Sequence, residues 1–347
     1  MKKSARILVL PALVSLVTAG VSPVPRACDA VCRVLSDPIR RLLSFLSSLV
    51  PFPLFEVALP VLFFAFVFAV VRAARGGDLS VLSRRTAAFA GVVFSLFLLL
   101  SVLPARRTPP PDPTPPSDAD LSAFAAWLSG DANAAEAVLP ASQGRGTPPA
   151  FPSASDLSSA VSDALRGTGL CPIPPTRVKV SLFPGVLSRL GILGYHTPLS
   201  GEVVIDPGAP AYTVPFTAAH EAAHQAGILS EGEASYAAYV ALISSPDPAL
   251  RYAGATGALD AVLPHLSART RRELLSSLSP RVREDLSLFD EALGAGDHAG
   301  VVAGENRAAI RLRGGEEPRS YDLFPILACR RFRLGAAGDA DAPSAIY

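Results

Sequence analysis

Three long apolar runs crowd the first hundred residues, and no other feature limits the fold as sharply. Ile7 to Val24 is apolar behind Lys2, Lys3 and Arg6. Phe52 to Val71 and Ala87 to Leu103 are each close to the ~20 residues a helix needs to cross ~30 Å of hydrocarbon. Taken as spans (residues 7–24, 52–71 and 87–103), they define a membrane region over residues 1–105. The first run could also serve as a signal peptide, since Ala19, Gly20 and Ser22 are small enough for a cleavage region. The runs that follow favour a retained anchor. Glu56 falls near the end of the second span, where reaching the interface is cheap, and receives no role.

Charge sets the expected orientation. Between the second and third runs, RAARGGDLSVLSRR carries Arg72, Arg75, Arg84 and Arg85 against Asp78. Short arginine-rich loops stay cytoplasmic, and the basic N-terminus agrees. Everything after Leu103 is then expected outside the cytoplasm, although the basic loop Arg26 to Arg41 pulls the other way. The implied partner is a lipid bilayer. A net charge of +1 gives no support to a nucleic-acid partner.

TPPPDPTPPSD (108–118) follows at once. A proline run joins neither a helix nor a central strand and behaves as a semi-rigid spacer. Residues 106–118 therefore read as a linker, a stalk holding a domain of residues 119–347 off the membrane. In that domain Ala119–Leu139 and Ser155–Leu165 read as helices. Arg177–Phe183 alternates like a strand, and Gly201–Asp206 (GEVVID) is a second one closed by Pro207-Gly208. Helical patterns then fill 216–227, 231–244, 247–265, 268–279, 281–294, 298–312 and 318–333. Two strands followed by many helices predict an α+β, mostly helical domain with a small sheet beside the helix that bears the histidines. Cys171 and Cys329 could pair outside the cytoplasm, though buried free thiols fit equally; Cys28 and Cys32 lack the partner pair a zinc site would need.

The chemistry concentrates in TAAHEAAHQAGILSEGEASYAAY, residues 217–239. His220-Glu221-Ala-Ala-His224 is an H-E-x-x-H pattern. On a helix, residues four apart lie on one face a turn apart, so two imidazoles can close on one zinc ion. Glu221, rotated about a quarter turn, can reach the bound water as general base. Gly227 can end the helix in a left-handed conformation. Ser230 then caps the next helix and forms an S-x-x-E capping box with Glu233, which leaves Glu231 as third ligand; the opposite assignment, with Glu233 as ligand, stays open.

GYHTPLSGEVVIDPG (194–208), the stretch from Phe216 to Gly254, and EEPRSYDLFPILACRRF (316–332) together resemble a family of uncharacterised bacterial membrane proteins, catalogued as domain of unknown function 3810. Members typically carry a tyrosine and Pro-Phe-Ser/Thr-Gly-Glu before the motif helix. This chain has Tyr195, Pro198, Ser200, Gly201 and Glu202, with Leu199 in place of phenylalanine. They tend to read E-x-E-A-N after the motif, where this chain has Ser235. The resemblance implies a gluzincin-like (zincin-type) zinc peptidase. In that class the ligand glutamate sits in E-x-x-A, matching Glu231 to Ala234, and a residue four positions on orients a ligand histidine. Ser235 is a weaker partner there than aspartate or asparagine.

The expected function is a membrane-anchored zinc metallopeptidase in the bacterial cytoplasmic membrane, with its N-terminus inside and its catalytic domain outside, hydrolysing peptide or protein substrates. One zinc is held by His220, His224 and Glu231, and Glu221 moves the proton. Tyr195, His196 and Tyr321 are candidates to stabilise the oxyanion, and the GEVVID strand could take up a peptide by edge addition. The competing expectation is a non-catalytic, metal-stabilised sensor or scaffold. Cleavage within the bilayer is disfavoured, because Glu221, Gln225, Glu231 and Glu233 make the motif too polar for a span.

Overall fold

The computed structural model describes residues 2–108, 114–141, 146, 151, 153–171, 177–294 and 317–336. The fold is α+β and mostly helical, with one three-stranded sheet. The expected helix at 298–312 lies outside the described residues.

The N-terminal region begins with α1 (Lys2–Val21), which lies against α5 (Leu79–Phe97) with Pro11 packed at Gly91. Among the described residues two helices are long and apolar enough to cross a membrane. These are α4 (Leu54–Ala74) and α5, extended by a π-turn and a 3-10 turn to Arg106. Three had been expected; the described apolar part of α1, Pro11–Val21, is shorter than a span. None of the apolar window of α4 is buried, whereas 22% of the α5 window is.

The segment expected to be a simple loop between spans is helical: α2 (Pro25–Val31), a π-turn, and α3 (Asp37–Ser48). It is bonded to the end of α5, where Arg107 pairs with Asp37 at 2.5 Å and Ser36 Oγ donates to Leu99 O at 2.7 Å. Cys28 and Cys32 pack here against Leu103 as free thiols, and Cys171 and Cys329 are free as well, so of the two readings open for that pair the free thiols hold. Those two thiols belong to different packing clusters.

Beyond the proline run, local sequence starts and stops each helix. α6 (Asp118–Glu136) opens on a reciprocal capping box between Ser117 and Asp120. α7 (Ala154–Thr168) starts at Ser153 and ends at Gly169 with φ +68°. After β1 (Val178–Val180) and the short α8 (Val186–Arg189) come β2 (Gly194–Thr197) and β3 (Glu202–Ile205). The order is β1-β3-β2, with β1 parallel and β2 antiparallel to β3.

The chain then runs helically through α9 (Thr213–Gln225), α10 (Glu231–Ile243), α11 (Pro248–Val262), α12 (Ala268–Ser277), α13 (Pro280–Gly294) and α14 (Glu317–Ala336). Phe124, Leu128, Tyr239, Tyr252, Leu259 and Phe324 form the core of the helical layer. A second core joins the sheet to α7, α9 and α10. There Val178, Val203 and Ile205 meet Ala218, Ala219, Ala222 and Ala223, and the small alanine side chains let α9 approach the strands closely.

Strand pairing divides the sheet into two unlike faces. Val178, Val203 and His196 are cross-strand neighbours, as are Val180, Ile205 and Gly194, and this set turns toward α9. Lys179, Val204 and Tyr195, with Glu202 and Thr197, alternate onto the opposite face. That face rests on residues 43–56. Lys179 Nζ bonds Glu202 Oε1 at 2.5 Å and Phe52 O at 3.0 Å. Glu202 accepts the first amides of α4, Leu54 N at 2.6 Å and Phe55 N at 2.9 Å, and also Ser200 Oγ at 2.6 Å. A carboxylate at these otherwise unsatisfied N–H groups is favoured by both hydrogen bonding and the helix dipole. Tyr195 OH and Leu182 N donate to Glu56, so the residue assigned no role joins α4 to the sheet. The sheet sits directly on α3 and the start of α4, while residues 109–113 of the proline run lie outside the described residues.

Candidate metal centre

α9 and α10 build the centre from both sides of one turn. α9 stops in a Schellman arrangement, with Ile228 N bonded to Ala223 O and Gly227 N to His224 O, each at 3.0 Å. Gly227 takes φ +105°, the positive value expected of it. The same turn fixes an imidazole, because Ile228 O lies 2.7 Å from His224 Nδ1. Holding the proton on Nδ1 leaves the Nε2 lone pair available.

α10 follows from Ser230, and Glu231 occupies its first position. Glu231 Oε2 lies 3.2 Å from His220 Nε2 and 3.3 Å from His224 Nε2. One donor atom from each of the three residues falls within 4.8 Å of the other two. Burial alone would raise the Glu231 carboxyl, but the neighbouring imidazoles outweigh it and hold its pKa far below the usual range. His220 Nδ1 is 3.1 Å from Ser235 Oγ, one helical turn beyond Glu231. Both imidazoles are thus oriented from behind, and two nitrogens and a carboxylate oxygen converge. These three ligand atoms form a group that could hold a metal ion.

Glu233 does not join this cluster. The capping box proposed for it is absent as well, since the Ser230 side chain makes no cap bond; the carbonyl of Ser230 accepts Ala234 N instead. Burial pushes the Glu233 carboxyl up to about 7. Glu221 lies at the edge of the sheet. A Cβ added at Gly194 would stand 3.5 Å from Glu221 Cγ and only 2.7 Å from Thr217 Cγ2. Glycine at 194 is what permits α9 to lie this close to β2.

The other candidates separate by face. His196 is on the α9 side, with Nδ1 at 3.1 Å from Glu202 O. Tyr195 points to the other face, where its hydroxyl donates to Glu56 Oε1 at 2.9 Å; burial and that carboxylate raise its pKa. It does not reach the centre. The side chain of Tyr321 lies outside the described residues. The edge-addition expectation also needs correction. β3, the GEVVID strand, is central with a neighbour on each side, and the edge beside the centre is β2, a strand that the sequence pattern did not reveal.

Further residues pin α9 from behind. Arg40 of α3, which is 2% exposed, donates from Nη1 to His224 O at 3.1 Å and from Nη2 to Leu100 O. Gln225 Nε2 donates to Gly201 O at 2.7 Å. Gly201 has φ +67°, and an added Cβ there would lie 2.6 Å from Ser44 N, so the turn before β3 is fitted against α3. Arg40, Lys179 and Glu56 had no motif to single them out.

A family model described as protein of unknown function (DUF3810) matches residues 33–298. The chain belongs to this family. The DUF3810 match takes in α3, both long apolar helices, the sheet and the α9–α10 pair, and ends before α14. No curated protein and no solved structure matches the chain.

Proposed function

We propose that this protein is a membrane-anchored zinc metallopeptidase of the gluzincin type, acting on peptide or protein substrates outside the cytoplasm. The observation that carries the reading is the convergence of His220 Nε2, His224 Nε2 and Glu231 Oε2, with Glu221 one residue along the same helix. α4 and α5 anchor the chain, and the arginines between them favour the cytoplasmic side for that loop.

His220, His224 and Glu231 would hold the zinc, which when bound would supply Lewis acidity toward a carbonyl and a water. Glu221 accepts the proton of the attacking water and later delivers it to the departing amine. His220 and His224 keep their Nε2 atoms in place through Ser235 and Ile228. The edge of β2 can hold an extended peptide by main-chain bonds, next to Glu221. His196 stands on the same side of the sheet for the developing oxyanion.

Glu221→Gln tests the reading. The expected protein keeps its zinc and loses hydrolysis of a peptide library that wild type cleaves. If wild type holds zinc but cleaves nothing, or Glu221→Gln cleaves as well as wild type, the catalytic assignment falls and a metal-stabilised scaffold takes its place.

A further inference from the structure

α3 is inside out for a helix covered by water. Its buried side chains are Asp37, Arg40, Ser44 and Ser47, whereas Leu42, Phe45 and Leu46 stand 56%, 58% and 48% exposed. A surface helix in water turns its apolar stripe inward. Here the polar stripe is held inward by Arg107 on Asp37 and by Arg40 on His224 O and Leu100 O. The apolar stripe is left outside.

A second apolar element comes from the middle of the chain. Leu182, Phe183 and Val186, just after β1, are each about half exposed. One such residue is ordinary, but three together beside a hydrophobic helix form a patch. Hydrogen bonds fix where that patch lies. Arg177 Nη1 meets Ser48 O at 3.2 Å, Lys179 Nζ meets Phe52 O at 3.0 Å, and Leu182 N meets Glu56 Oε2 at 2.7 Å. β1 and its loop thus advance in step with the chain as it leaves α3 and enters α4, and the apolar tip ends beside the first turn of α4. Phe52, also exposed, lies between the two elements.

We propose that the outer face of α3 and the Leu182–Val186 loop dock together into a lipid surface, seating the domain on the bilayer. Lipid is the occupant because the patch is continuous with α4, whose apolar window is wholly unburied. The loop SLFPGV carries no charge, so its insertion is driven by apolar burial at the boundary of headgroups and acyl chains. Arg40 bonds both α3's neighbours and the last turn of α9, so docking holds the His220–His224–Glu231 cluster near the bilayer surface. This placement rests on the membrane-enzyme reading and deepens it: the favoured substrates are polypeptide segments close to a membrane.

The test uses the full chain in phosphatidylcholine vesicles, with Trp127, the single tryptophan, replaced by phenylalanine. Phe183→Trp and Phe45→Trp are each compared with Phe64→Trp in α4 and with Val138→Trp, exposed just after α6 in the helical layer. Lipid brominated near the headgroup end of its acyl chains should quench the fluorescence of Phe183→Trp and Phe45→Trp, lipid brominated near the chain ends that of Phe64→Trp at mid-span, and neither that of Val138→Trp. Quenching of Phe183→Trp by aqueous iodide instead overturns the proposal. Protection from both quenchers also overturns it, because the patch is then covered by protein, such as a second copy. If Phe64→Trp also escapes brominated lipid, the membrane reading fails along with the docking. Zinc content and hydrolysis play no part in these signals, so the peptidase assignment stands or falls separately.

Discussion

Glu202→Gln should be among the most damaging single changes outside the metal cluster, for reasons that can be counted. The Lys179–Glu202 pair is fully buried on both sides. Glu202 Oε1 takes Lys179 Nζ and Leu54 N, and Oε2 takes Phe55 N and Ser200 Oγ, so both oxygens face donors only. A glutamine presents an NH2 to one of those donor sets and leaves the Lys179 ammonium buried without its counter-charge. Breaking a buried pair from one side costs about 3–5 kcal/mol. The assay is urea unfolding of the full chain in detergent, read as a shift of midpoint at unchanged slope. The double variant Lys179→Met/Glu202→Gln removes both charges and should recover part of the loss, giving a clearly non-additive cycle. A loss below about 1 kcal/mol for Glu202→Gln, or additive single effects, would refute the reasoning. Burial alone would raise the Glu202 carboxyl, but Lys179, Ser200 and the Leu54 and Phe55 amides outweigh it and depress its pKa below the ordinary 4.5. Its contribution is therefore complete above that ordinary value and is lost as pH falls through the folded-state value. The gap between wild type and Glu202→Gln should narrow in that acidic window and stay constant near neutrality.

Two other substitutions bear on the centre. Gly194→Ala places a Cβ 2.7 Å from Thr217 Cγ2 and 2.8 Å from Val204 O; the overpacking should cost about 1–3 kcal/mol in thermal or urea unfolding and shift α9, so hydrolysis falls while zinc is retained. Ser235→Ala removes the partner of His220 Nδ1 and should weaken zinc affinity about 10–100-fold in a chelator competition, with Ser235→Asn restoring it.

The centre was far more legible in sequence than its setting. H-E-x-x-H, the glycine at 227 and the serine at 230 mark two helices and the turn between them, and a turn that short leaves Glu231 little choice of position. β2 escaped notice because GYHT is short, begins with glycine and lacks an apolar alternation. Its role comes from hairpin pairing with β3 across the turn at 198–201. α3 was hidden for a different reason. Its periodicity is clear, but the polar stripe faces the protein, and sequence alone does not say which medium covers the other side. Glu56 and Lys179 look like stray charges until the strand and the start of α4 are brought together across more than a hundred residues. The contacts between the sheet and the start of α4 are equally invisible in local composition, because they join residues 52–56 to residues 179–202.

The most direct test of the peptidase account is the zinc content of the full chain purified without chelator, measured for wild type, Glu231→Ala and Glu233→Ala. The account predicts about one zinc per chain in wild type and Glu233→Ala, and loss of the metal in Glu231→Ala. A folded wild type that takes up no zinc even when it is supplied, or a Glu231→Ala protein that keeps its full complement, would contradict it.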